Sequence, residues 1–315
     1  MAGDAEAILR SSRRPLVIGV GGGGDVVGAL ASAELLRIYD GAEPLVGGLS
    51  WERRPIDPVP GPRRVDEIEG AQLIAPAVML AGPSTRARGR DMYFGESRMA
   101  AFLDRPTVLV TIEDGPAAIA QGLLRALSEL DRDLLVFVDV GGDVVASGGE
   151  PGLRSPLCDA IMLAAAQQVA AAGAPTLLGV FGIGCDAELS PDEVLARLAD
   201  VAAAGGWCGA RGLTDAVATR LEQAIELVPT EASAQAVRAF RGARGRIPIR
   251  GGAFDVELTP VAAITFYLDV AVTYATVGPL AQAVAAARSL DEANAALGRL
   301  GVRTELDVER EAYGS

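Results

Sequence analysis

The chain has 315 residues, is half hydrophobic and 22% charged, and carries a formal net charge of −13 with no His. All 28 cations are Arg, so the missing Lys and His exclude a P-loop lysine, Schiff bases, Ser-His-Asp or Cys-His catalysis and HExxH zinc sites. The negative field disfavours bulk nucleic-acid and membrane-surface binding, and acid–base work falls to carboxylates, Tyr or Cys.

The N-terminal stretch MAGDAEAILRSSRR carries acids and no apolar core, unlike a secretory signal. Short apolar runs then recur at Leu16–Val20, Pro44–Leu49, Leu73–Leu80, Thr107–Ile112, Leu134–Val140 and Thr176–Phe181. Longer Ala/Leu segments with helical spacing lie between many of them. Continuous apolar strands alternating with helices predict a doubly wound, mostly parallel, Rossmann-like α/β sheet.

The first run leads into PLVIGVGGGGDVVGAL, where Gly19, Gly21 and Gly24 fit G-x-G-x-x-G between strand and helix. Gly21, Gly22, Gly23 and Gly24 are therefore candidate phosphate or cofactor ligands, through backbone N–H groups and the helix dipole. Asp25 follows directly; it suits a metal better than a bare pyrophosphate, or simply favours the helix N-terminus. After the second run come Glu52 and Arg53, which would read a ribose or its 2′-phosphate in a dinucleotide site. Trp51 beside them suits either a base or the core.

The fifth run ends LLVFVDVGGDVV, placing Asp139 and Asp143 around a glycine pair, with Glu150 and Asp159 downstream. Two carboxylates with substrate phosphates and waters are what Mg²⁺ takes. Asp25, Asp139 and Asp143 are the candidate metal ligands, and Asp139, Asp143 and Asp186 the candidate catalytic groups. Asp186 follows the sixth run in FGIGCDAEL, beside Cys185, whose lack of a His base points to a small buried residue. Acids and glycines thus gather at the strand ends where open sheets bind ligands.

Two Arg groups stand out, Arg86–Arg90 and Arg238–Arg250; either suits phosphate or carboxylate recognition, or paired surface charge. Ser190-Pro191 with Glu193 and Ser289 with Glu292 mark helix starts. Beyond residue 190 the chain reads mainly helical, with a hairpin near Arg246–Leu258 turning at Arg250-Gly251-Gly252. Trp207 is expected in a loop between helices. The expected organisation is a Rossmann-like ligand-binding domain over 1–190 and a helical region over 191–315 packed on it. The stretch Pro260–Ala287, interrupted by Asp269 and Pro279, reads as buried helices and no membrane span. Cys158, Cys185 and Cys208 form no ligand pair or even framework, so a reduced, cytoplasmic protein is expected.

The strings IGVGGGGDVVGAL, GGLSWERRPIDPVPGPR, VDVGGDVVASGGEPGLRSPLCDA, LLGVFGIGCDAEL and GARGL, with a weaker FDVELTPVAAITFY, resemble domain of unknown function 1152, an archaeal and actinobacterial family. The resemblance implies a Rossmann-like fold and no reaction. The residues themselves lead to an enzyme for a nucleotide or phosphorylated small molecule, with Mg²⁺-assisted hydrolysis or group transfer. The alternatives are an NAD(P)-dependent oxidoreductase and a non-catalytic nucleotide-sensing module; homo-oligomers are compatible with each.

Overall fold

The computed structural model describes residues 4–54 and 56–313; the first three residues of the N-terminal stretch lie outside them. Among the described residues nine strands form one sheet. In chain order these are β1 (Pro15–Gly19), β2 (Leu45–Leu49), β3 (Ile68–Ala75), β4 (Val78–Ala87), β5 (Thr107–Val110), β6 (Leu134–Val140), β7 (Thr176–Phe181), β8 (Trp207–Gly212) and, past a separate hairpin, β11 (Ile264–Leu268). Across the sheet they run β3-β4-β5-β2-β1-β6-β7-β11-β8. The central five, β5-β2-β1-β6-β7, are parallel. Each is a short, mostly apolar run, with a glycine pair in β2, and almost every residue in them is buried, as strands between two helical layers require.

Renumbered in their own chain order, the parallel strands lie 3-2-1-4-5, and the order reverses between β1 and β6. Helix α2 (Asp25–Tyr39) follows β1, while α4 (Gly115–Glu129) and α5 (Pro156–Ala171) flank β6 in sequence. Val17 of β1 packs with Val26, Val27 and Leu30 of α2. Its neighbours Leu16 and Ile18 face the other way, into a core with Ile119, Leu123, Leu157 and Ile161 of α4 and α5. The helices therefore diverge to opposite faces at β1 and β6 and leave a crevice at their carboxyl ends.

Three expectations are corrected. The run Leu73–Leu80 is no single parallel strand: it folds back at Pro76-Ala77, pairing Ala75 with Val78, and β4 then runs antiparallel to β5. Pro76 presets a turn and Ala77 takes φ +63° after it. Trp207 lies in strand β8, and β11 emerges from Pro260–Ala287; both are antiparallel additions to the main sheet. Alternating exposure along β8 hid it among helical segments.

The remaining elements are α1 (Ala5–Ser11), α3 (Gly95–Leu103), α6 (Pro191–Ala203), α7 (Asp215–Ile225), α8 (Ala232–Phe240), the hairpin β9 (Gly245–Ile249) and β10 (Phe254–Leu258), α9 (Val270–Val277), α10 (Pro279–Val284), α11 (Leu290–Arg299) and α12 (Glu305–Tyr313). The hairpin turns at Arg250–Gly252 as its sequence predicts. Among the described residues no helix is long and apolar enough to cross a membrane.

Candidate active site

A cavity of about 640 Å³ occupies the crevice. Its lining includes Gly21, Gly22, Gly23, Gly24, Asp25, Glu52 and Arg53 from the loops after β1 and β2, together with Asp143 and Asp186. Asp139 stands just below, at the end of β6. The fold thus brings every candidate residue to one place, from segments up to 165 positions apart (Gly21 to Asp186).

Asp139 closes β6 and is fully buried. The chain then turns through Gly141 and Gly142, with φ of +132° and +110°, so Asp143 swings back toward Asp139. A Cβ at Gly141 would collide with the Asp186 carboxyl, so glycine is needed there for both the turn and the approach. Asp159 enters from the first turn of α5. Carboxyl oxygens of Asp139, Asp143 and Asp159 lie within 4.8 Å of one another, as do those of Asp143, Asp186 and Glu188. The two triads share Asp143.

Both oxygens of Asp139 and both of Asp159 are buried and accept no hydrogen bond. An ionised carboxylate in that state is costly, so such groups either hold a proton or surround a cation. Burial, reinforced by the neighbouring acids, pushes Asp139, Asp143 and Asp159 well above the ordinary carboxylate range. Burial and Glu188 take Asp186 up to about 7. Dense, oxygen-only and donor-poor, this cluster fits a hard divalent cation such as Mg²⁺.

Glu188 is the best-anchored member. It accepts the N–H groups of Arg154 and Ser155 at 2.7 and 2.8 Å and the Ser155 hydroxyl at 2.5 Å. Asp25 lies outside both triads: its Oδ2 accepts the Gly21 N–H at 2.9 Å, although burial still lifts it to about 7. Gly22 and Gly23 take φ of +80° and +55°, and the Gly23 N–H donates to the Trp51 carbonyl at 2.9 Å. Two of the four glycine amides are therefore engaged within the protein.

Glu52 is buried and accepts the Gly95 N–H at 2.5 Å, with its pKa raised to about 7 chiefly by burial. Beside it Glu96, on the first turn of α3, is buried with both oxygens unpartnered. Arg53 stacks 4.1 Å above the ring of Trp51, which is core. Its Nη2 donates to the Gly21 carbonyl at 3.0 Å and meets Glu305 at 3.4 Å.

Of the two Arg groups, only Arg250 reaches the cavity. Arg86 pairs with Glu69 at 2.7 Å and Arg88 donates to the carbonyls of Asp66 and Ile68. Arg241 pairs with Asp215 and Glu222, and Arg246 with Asp255. Glu150 also turns away, capping the Ser147 and Gly148 amides. Glu305 and Glu309 of α12 escape sequence reading. Glu305 accepts the N–H groups of Leu157 and Cys158 at 3.0 and 2.9 Å, across 148 and 147 positions. No local pattern announces such a contact.

The family described as "Protein of unknown function (DUF1152)" matches residues 16–313, nearly the whole described chain. No curated protein and no solved structure matches.

Proposed function

The chain belongs to the DUF1152 family, and from that premise, which brings no reaction with it, we propose an enzyme that binds a nucleotide or phosphorylated small molecule and carries out magnesium-assisted hydrolysis or group transfer. One observation carries this reading: two buried carboxyl triads share Asp143, and Asp139 and Asp159 within them lack any donor. When bound, a divalent ion supplies positive charge to phosphoryl oxygens and acidifies a water.

The chain's own groups divide the remaining work. Asp139, Asp143 and Asp159 hold one ion, and Asp143, Asp186 and Glu188 serve a second position. With that second position empty, burial and Glu188 lift Asp186 to about 7, so it takes up or releases a proton near neutral pH. Arg250 on the cavity wall offsets the negative charge of a phosphoryl group. The glycine loop gives close backbone approach, while Asp25 fills its Gly21 amide and favours ligation through cations over a bare amide nest.

The strand order favours a dinucleotide site as the second reading. Against it stand Asp25 on the glycine loop and Glu52 turned onto Gly95.

The test combines calorimetric titration of Mn²⁺ with a panel of nucleotides and sugar phosphates assayed with Mg²⁺. Stoichiometric metal binding and turnover are expected, with turnover falling at least about a hundredfold in Asp143→Asn. An Asp139→Asn protein with full activity, or a wild type that takes up no divalent ion, overturns the assignment. Tight nicotinamide-dinucleotide binding without metal promotes the second reading, and ligand binding without turnover a sensing role.

A further inference from the structure

A second cavity, of about 550 Å³, adjoins the first and shares Arg53, Arg54, Ser155, Glu188 and Arg250 with it. Its wall adds Arg154 and Arg303, so five guanidinium groups face three carboxylates, those of Glu188, Glu305 and Glu309.

All three acids already have partners. Glu188 holds Arg154 and Ser155 amides, Glu305 the start of α5, and Glu309 the Trp51 Nε1–H and Gly61 N–H. Arg303 pairs with Glu311, Arg53 with Glu305 and Glu309, and Arg250 lies a loose 3.9 Å from Glu231.

Arg54 and Arg154 differ: among the described residues neither has an ion-pair partner. Arg54 stacks 4.2 Å above the Tyr313 ring. Arg154 stacks 4.0 Å above Phe254, with Arg250 5.5 Å from the same ring. Two like charges thus sit beside one aromatic ring. The Arg154 Nη2 donates only to the carbonyls of Asp186 and Ala187, and its Nε is buried without a partner. Planar guanidinium groups fixed on aromatic faces, short of acceptors, are preorganised for an oxyanion.

We propose that this second cavity is a phosphate subsite, so that the substrate carries one phosphate at the carboxyl triads and another at Arg54, Arg154 and Arg250. Three cationic groups suit a phosphate dianion better than a single carboxylate, and the joined cavities have small-molecule dimensions. The inference rests on the phosphorylated-substrate reading and narrows it to bisphosphorylated compounds or oligophosphates.

Two matched pairs test it by calorimetry: fructose 1,6-bisphosphate against fructose 6-phosphate, and inorganic triphosphate against inorganic phosphate. Each is titrated with Mn²⁺ and again in EDTA, into the wild type, Arg54→Gln and Arg154→Gln. At least one multiply phosphorylated partner should bind about tenfold or more tightly than its monophosphate. Each Arg variant should erase most of that preference while keeping the wild-type Mn²⁺ isotherm and circular dichroism. Exposed Arg54 gives the variant least able to disturb folding. No preference in either pair, or a preference indifferent to both variants, overturns the subsite while an intact Mn²⁺ isotherm leaves the metal reading standing. Arg-dependent preference in EDTA with no Mn²⁺ uptake upholds the subsite and overturns the metal reading.

Discussion

Asp25 Oδ2 accepts the Gly21 N–H at 2.9 Å, so a carboxylate of the chain sits where a glycine loop of this pattern would hold a phosphate. The loop is thereby closed on its own helix. Asp25→Asn keeps an acceptor oxygen and is expected to change stability by less than about 1 kcal/mol, with Mn²⁺ affinity within about tenfold of wild type. Asp25→Ala leaves the amide bare and costs about 1–3 kcal/mol. Urea denaturation of the two variants checks this; equal losses would show that the bond contributes little.

The buried acids make a signed prediction for pH. Asp25 and Asp186 rise from the ordinary 3.8 to about 7, so the folded metal-free protein binds more protons than the unfolded chain between those values. Their stabilising protons are fully present below pH 3.8 and are lost as pH rises through about 7. The melting temperature of EDTA-treated protein should therefore fall as pH rises from 5 toward 7 and level off above it. Saturating Mg²⁺ should flatten or reverse that slope. A metal-free melt that climbs steadily from pH 5 to 8 contradicts the unpartnered cluster.

Asp139→Asn replaces one repelling, unpartnered acid by a neutral near-isostere. Without metal at pH 8 it is expected to be more stable than wild type by about 1–3 kcal/mol. The same variant should lose most of the Mn²⁺-induced thermal shift. Both effects appear in one melt series, and a destabilised Asp139→Asn protein would mean that the carboxyl has a structural partner.

A fourth prediction concerns packing at the crevice floor. A Cβ at Gly28 of α2 would collide with Val140 Cγ2 at the end of β6. Gly28→Ala should thus push α2 off the sheet and cost about 1–3 kcal/mol, despite the better helix propensity of Ala. The reciprocal Val140→Ala should restore part of that loss in the double variant, which a double-mutant cycle measures.

Much of this arrangement can be read from sequence because its signals are local. The apolar runs of β1, β2, β5, β6 and β7 sit within a residue or two of their expected bounds. Glycines and acids mark the strand ends that meet in the crevice. The hairpin β3–β4 was masked because Pro76-Ala77 interrupts an apolar run without the usual Gly or Asn. The edge strand β8 carries the mixed residues of a half-exposed strand, and the buried β11 is a short apolar run that periodicity does not separate from the helical segments after it. Glu305 and Glu309 are invisible for a different reason: their partners, Leu157, Cys158, Trp51 and Gly61, lie on distant loops and helix starts, and only the folded chain brings them together.

The same long reach orders events during synthesis. The triads are complete once residues up to Glu188 have folded, yet the start of α5 and Arg53 await the carboxylates of α12, more than a hundred residues later. Until Glu305 and Glu309 emerge from the ribosome, a nascent chain presents an uncapped helix end and an unpaired guanidinium beside a finished nest of acids. Closing that junction is a late, high-contact-order step, and it ties completion of the crevice to delivery of its last helix.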